Sequence, residues 1–189
     1  MRTKILSIHP ETPTTVSLRF AKPEGFNYIA GQFINIELPA EKIAPPGHKR
    51  NFSLSSSPTD DFLQITIKHG ISPFKKFLQL LTSGDEVTIT GAFGKFVLNE
   101  DPSIPAVFLT GGIGITPFHS MIKYATDKKL PKPITLIYSN KKADNILFKK
   151  EFDELDEKNQ HLTITPSLSK TLSHKAFPGP ASTVVSMKP

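Results

Sequence analysis

Val107-Phe108-Leu109-Thr110-Gly111-Gly112-Ile113-Gly114-Ile115-Thr116-Pro117 is an apolar strand that runs into a glycine-rich turn and leaves it as a helix begun by Thr116-Pro117. Glycines let the backbone approach a ligand closely, and the helix start directs N–H donors and positive potential at an anion such as a dinucleotide pyrophosphate. The pattern departs from G-x-G-x-x-G, because Pro117 stands where the third glycine would be. A tight turn that needs positive φ is the other reading of the same glycines.

Outward from this stretch the periodicity changes character near residue 100. Upstream, short β-rich runs at 3–8, 15–20, 33–38, 49–53, 62–67 and 86–90 are separated by Pro, Gly and Asn. The alternation of Phe33, Asn35, Glu37 against Ile34, Ile36, Leu38, and of Phe62, Gln64, Thr66 against Leu63, Ile65, Ile67, is what burial of one face requires. One helix, 73–81, interrupts the series. Downstream come a strand (106–109), a helix (117–128), a strand (134–138) and a helix (149–156), with a further strand in reach at 162–165. The apolar runs at 107–109 and 134–138 read as parallel strands covered on both faces. The expected fold is therefore two domains, an N-terminal antiparallel six-stranded Greek-key β-barrel over 1–100 and an α/β nucleotide-binding domain over 104–170. From Pro166 the chain turns to Ser, Thr, Lys and Pro, so 171–189 is expected to be a weakly ordered tail and the second domain to be incomplete.

Composition narrows the chemistry. The 189 residues include no Cys, which excludes a disulfide framework, a Cys-held zinc or iron–sulfur centre and a thiol nucleophile; no metal site is expected. No apolar run reaches the roughly 18 residues of a membrane span and the N-terminus lacks a signal-peptide core, so a cytoplasmic protein is expected. The net charge of +6 is spread, with 11 cations against 9 anions up to Glu100 and 12 against 8 after it. That field suits an anionic nucleotide or an acidic protein partner. Nucleic acid is not expected, because no Lys/Arg stripe interleaves with stacking aromatics.

Two further clusters carry chemistry. In Arg50-Asn51-Phe52-Ser53, strand alternation puts Arg50 and Phe52 on one face and Asn51 and Ser53 on the other. Arg beside an aromatic can hold a phosphate and stack a planar ring, although an ordinary edge strand with a core Phe has the same sequence. In Ser72-Pro73-Phe74-Lys75, Ser72 is an N-cap and Pro73 suits the first helical position. With Lys68, Lys75 and Lys76 nearby this helix start reads as an anion site, or equally as a plain capped helix.

The order of these motifs, together with Gly31-Gln32-Phe33, Gly84-Asp85-Glu86-Val87, Gly91-Ala92-Phe93-Gly94-Lys95-Phe96 and Ile137-Tyr138-Ser139-Asn140, resembles the ferredoxin-NADP(+) reductase superfamily over residues 1 to about 155. The resemblance implies an FAD-binding barrel followed by a domain for NADPH or NADH. Carried over by position, it implies that Arg50 pairs with the flavin phosphates, Phe52 stacks on the ring and Ser53 hydrogen-bonds near the reactive nitrogen, with Asn51 in the same cofactor-binding strand. Ile67 and Lys68 would lie along the ribityl chain, and Ser72, Pro73, Phe74 and Lys75 would form the phosphate-binding helix start. Gly112, Gly114, Ile115 and Thr116 would receive the nicotinamide nucleotide, with Thr116 and Ser53 nearest the reacting rings. Ser139, Asn140 and Lys141 would select between NADPH and NADH.

Some positions depart from the family. Phe52 stands where relatives often have Tyr, Ser72 and Lys75 replace the ends of Gly-x-x-Ser, and Lys141 stands where an Arg would favour NADPH more clearly. The usual Cys-Gly-Pro segment is not found. The expected function is hydride transfer from NAD(P)H to bound FAD, followed by electron delivery to a protein or small acceptor; the alternative is a flavin- or partner-binding module without turnover. No His is placed as a general base: His69 lies near the flavin helix and His119 within the second-domain helix, where surface or core roles are expected.

Overall fold

The computed structural model describes residues 1–39 and 47–168; Pro45 and Pro46, and the expected tail 171–189, lie outside the described residues. Six strands, β1 (Arg2–Thr12), β2 (Thr15–Ala21), β3 (Phe33–Glu37), β4 (Lys49–Ser53), β5 (Phe62–Lys68) and β6 (Glu86–Phe93), pair antiparallel in the order β4-β3-β6-β1-β2-β5. The two edge strands meet at a bridge between Leu54 and Ile65, which curls the sheet into a barrel. Alternation does what it promised in β3, where Ile34 and Ile36 are completely buried against Phe20, Leu54, Leu63 and Ile89.

In β5 the one-face expectation fails, because Gln64 and Thr66 are buried along with Leu63, Ile65 and Ile67. The polar face of β5 is roofed by the chain that follows β4. Gln64 N–H donates to Ser56 Oγ at 2.9 Å, and Thr66 Oγ1 lies 2.9 Å from Ser55 Oγ and 2.8 Å from Ser17 Oγ. Buried polar groups are tolerated there because they satisfy one another. The helix α1 (Pro73–Leu78) is shorter than expected: Phe74 and Leu78 face the core at i and i+4, whereas Leu80 is 77% exposed and the chain beyond Leu78 tightens into i→i+3 bonds, Leu80 N–H to the Phe77 carbonyl and Leu81 N–H to that of Leu78.

The second sheet, β7 (Ala106–Gly111), β8 (Ile134–Asn140) and β9 (Leu162–Leu168), is parallel in that order. Its crossovers run through α2 (Thr116–Asp127) and α3 (Lys149–Lys158). Successive right-handed crossovers that step in one direction place their helices on the same face. Ile115, Met121, Ile122 and Phe152 accordingly pack on Phe108, Leu136, Tyr138 and Leu162. Coverage of both faces, expected from the apolar runs, is therefore corrected: Val107 and Leu109 are 67% and 74% exposed, and among the described residues no helix covers their side.

The two sheets meet along α2. Ser120 Oγ donates to the Ser56 carbonyl at 2.5 Å, Lys123 pairs with Asp60 at 3.1 Å, and Thr59 donates to Asp127. Lys132, buried to 1%, donates to the carbonyls of Asp101 and Ile104 and so fixes the chain connecting the sheets.

Candidate functional site

Parallel strands bring their carboxyl ends to one edge, and the crevice beyond that edge is where such sheets take ligands. Here a cleft of about 400 Å³ opens between Thr12, Thr14, Thr15 and Lys68 of the barrel and Gly111, Gly112, Ile113, Ser139, Asn140, Lys141, Asn145 and Leu147 of the parallel layer. The glycine turn enters this cleft for two separate reasons. Gly112 has φ +52°, in the left-handed region, and a Cβ on Gly114 would lie 2.9 Å from Thr110 Oγ1. Tyr138 holds the turn from beneath: its hydroxyl donates to the Gly112 carbonyl at 3.1 Å and accepts from Leu147 N–H at 3.2 Å. Burial pushes the Tyr138 phenol up against the opposing pull of Leu147 N–H and Asn140, so it stays a donor. Lys68 and Lys141 supply the cleft's positive charge, which suits an anionic ligand.

A second surface is built by β4 and α1. Phe52, half-buried, stacks on the buried Phe74 with centroids 6.0 Å apart and planes at 29°. The Arg50 guanidinium stands 5.8 Å from the Phe74 centroid while Nη1 donates to the Lys49 carbonyl at 2.7 Å. Ser72 caps α1, its Oγ accepting from Lys75 N–H at 3.4 Å and its carbonyl from Lys76 N–H at 2.9 Å. A helix of six residues carries little macrodipole, so anion attraction here comes mainly from Arg50, Lys75 and Lys76 side chains. The surface offers a planar apolar platform beside cationic groups.

The structure gathers Gly112, Ser139, Asn140 and Lys141, expected at the nicotinamide nucleotide, around one cleft, and brings to it Lys68, which was expected along the flavin's ribityl chain. Gly114, Ile115 and Thr116 do not line it: Ile115 is completely buried, and the buried Thr116 donates its hydroxyl to the Ile113 carbonyl at 3.3 Å. Ile67 and Phe74 are both buried in the barrel core, Phe74 lying under Phe52, so neither side chain faces a ligand. Arg50, Asn51, Phe52 and Ser53 lie within β4, with Phe52 opposite Ile34 and Ser53 opposite Phe33. The sequence reading missed Thr12, Thr14, Thr15, Asn145 and the anchoring Tyr138. The β1–β2 hairpin carries an ordinary turn sequence, and nothing local says which turn of a barrel faces a distant glycine loop.

A curled antiparallel sheet joined to a parallel layer, with a cationic cleft at the glycine turn between them, defines the class of two-sheet, ferredoxin-reductase-like proteins. The family description "Oxidoreductase NAD-binding domain" matches residues 108–177. The reductase component of propane 2-monooxygenase from Gordonia sp. (strain TY-5) is 29% identical over 176 residues, covering 89% of this chain and 49% of the relative. Flavohemoprotein B from Dictyostelium discoideum is 30% identical over 167 residues, covering 79% and 40%. The ferredoxin-NADP+ reductase from Plasmodium falciparum superposes with a TM-score of 0.76 at 24% identity, covering 91% of this chain and 71% of that one. The chain belongs to the ferredoxin-NADP(+) reductase-like superfamily. It spans about half the length of the curated relatives it matches. No helix among the described residues is long and apolar enough to cross a membrane.

Proposed function

We propose that this chain is an FAD-dependent NAD(P)H oxidoreductase that takes a hydride from a nicotinamide nucleotide and passes electrons to a protein or small acceptor. In this reading residues 1–100 form the flavin domain and 104–170 the nucleotide domain. The observation that carries it is the cationic cleft between the two sheets, into which Gly112, Lys68 and Lys141 converge. The superfamily supports it, as does the presence of reductase components and flavohemoproteins among the relatives.

The residues present fit a flavin. Phe52 on Phe74 gives a flat platform, and Arg50, Lys75 and Lys76 give charge for its phosphates. When bound, the flavin supplies the redox chemistry, accepting two electrons together and releasing them singly, which no side chain of this chain offers. The protein's part is to orient and to exclude water. Phe52 fixes the plane, and Ser53, whose hydroxyl has no partner among the described residues, is free to hydrogen-bond a ring edge. Gly112 admits the nucleotide's backbone-bound portion, and Lys141 with Ser139 and Asn140 takes its ribose end. Thr116 acts from beneath the turn rather than from the cleft wall. The mild positive field suits an acidic electron-transfer partner.

The test is the visible spectrum of the purified chain and an anaerobic titration with NADPH and then NADH. A yellow protein that bleaches supports the reading; a colourless one that cannot be reconstituted with FAD ends it. Arg50→Ala is expected to lower flavin retention by about tenfold in equilibrium dialysis, as loss of a charge-assisted phosphate contact implies. A second reading, a flavin- or partner-binding module without turnover, is favoured by the uncovered Val107 and Leu109 side of β7. A yellow protein that does not bleach with either nucleotide would select it.

A further inference from the structure

His119 lies three residues beyond Thr116 in α2 and is 2% exposed. Its Nδ1 stands 2.7 Å from the Ser55 carbonyl oxygen and its Nε2 stands 2.8 Å from Glu151 Oε2. A carbonyl has no proton to give, so Nδ1–H is the donor; an ionised carboxylate also only accepts, so Nε2–H donates to it. Burial works against the Glu151 carboxylate, yet the His119 bond and charge, with Arg19 of β2 and Lys123 of α2 beyond, hold its pKa below the usual carboxylate range. Lys123 is itself paired with Asp60 and Asp127. Two aromatic rings enclose the imidazole. Phe148 stacks on it at 4.1 Å and 26°, and Phe152 meets it edge-on at 5.4 Å. Phe148 holds φ 57° and ψ 25°, a left-handed conformation that a bulky residue rarely takes. Such strain persists where surroundings over-determine it.

We propose that His119 is a positioning residue of the redox site: its Nδ1–H bond to the Ser55 carbonyl locks the start of α2, with Thr116, to the end of β4, with Ser53, and its Nε2–H bond to Glu151 braces that lock against α3. This deepens the flavin-reductase reading and rests on it for what is positioned. The two bonds are not equivalent. Ser55 is completely buried, so its carbonyl has no water to take the place of the imidazole, whereas the Glu151 side chain is 43% exposed and is readily rehydrated. The Nδ1–H bond is therefore the one the fold fixes, and the Nε2–H bond the one that water can replace.

Imidazole nitrogen NMR of the full 15N-labelled chain from about pH 5 to pH 8 reads the lock directly, with or without flavin. The hydrogen on Nδ1 is expected at every pH, and a neutral ring with Nδ1 bare overturns the proposal. Two variants then separate the bonds, since His119→Asn puts an amide N–H near the place of Nδ1 and His119→Gln puts one near the place of Nε2. In anaerobic stopped flow at saturating nucleotide, His119→Gln is expected to bleach flavin at least about tenfold more slowly, with flavin content and half-saturating nucleotide concentration unchanged, whereas His119→Asn recovers the rate to within about threefold. Equal losses in both variants, or a loss confined to flavin content, make His119 a packing residue and overturn the proposal. If the unsubstituted protein binds flavin but never bleaches, the reductase reading has failed, and the NMR result alone upholds or overturns the lock.

Discussion

At Gly31 the two sheets come within a methyl group of collision. Its φ is +103°, and a Cβ there would sit 2.3 Å from both Met121 Cε of α2 and the Phe96 carbonyl oxygen. Gly25 has a comparable φ of +73° but nothing within 4 Å, so it separates backbone strain from crowding. Gly31→Ala is expected to destabilise the protein by about 3 kcal/mol and Gly25→Ala by about 1 kcal/mol, read from urea midpoints at unchanged slope. Equal losses would show that the close approach of α2 to the barrel contributes nothing. The motif Gly31-Gln32-Phe33 was legible in the sequence, but the reason for its glycine was not: the atoms it must admit come from residues 65 and 90 positions away.

Among the elements, α3 has an attachment that depends on charge. Glu151 sits in its first turn and bonds His119 of α2. Its carboxyl pKa is lower in the folded chain than in the unfolded one, so its contribution is fully present above the ordinary carboxylate range and is lost as pH falls through the depressed folded value. Glu151→Gln is therefore expected to lower the melting temperature at neutral pH, with the difference from the unsubstituted protein shrinking steadily as the solution is acidified below about pH 4. A difference that stays constant to pH 2 would show that Glu151 holds α3 by shape rather than by charge. The same element scale explains two misjudged features. The burial of Gln64 and Thr66 comes from Ser55 and Ser56 lying over β5, and the exposure of Val107 and Leu109 comes from both crossovers taking the same face.

For the whole molecule, the seam along α2 joins the sheets by packing and by buried polar bonds together. Ala30 and Leu98, from the barrel side, pack within the second core, while Ser120, His119 and Lys123 reach Ser56, Ser55 and Asp60. A seam of that kind is expected to make both sheets melt as one unit. Calorimetry should give a single transition with a calorimetric to van't Hoff enthalpy ratio of about 1, and Ser120→Val should split or broaden it by leaving the buried Ser56 carbonyl without its donor. Two transitions in the unsubstituted protein would mean that the sheets are linked only by the chain between them.

The sequence by itself determined the strands, the switch from antiparallel to parallel order near residue 100, the glycine turn and the family, because each is written in local periodicity and in motifs of a few residues. Gly112, Ser139, Asn140 and Lys141 were nameable as nucleotide contacts from the resemblance those motifs carry, and the fold brings them around one cleft together with Lys68, a residue expected at the flavin. Only the tertiary structure decided which barrel turn closes that cleft, that Ile115 and Thr116 lie beneath it, and that a helix histidine assigned to ordinary packing has a hydrogen-bond acceptor at each ring nitrogen. Those outcomes depend on where two sheets dock, and docking is set by contacts between residues tens of positions apart that leave no period in the chain.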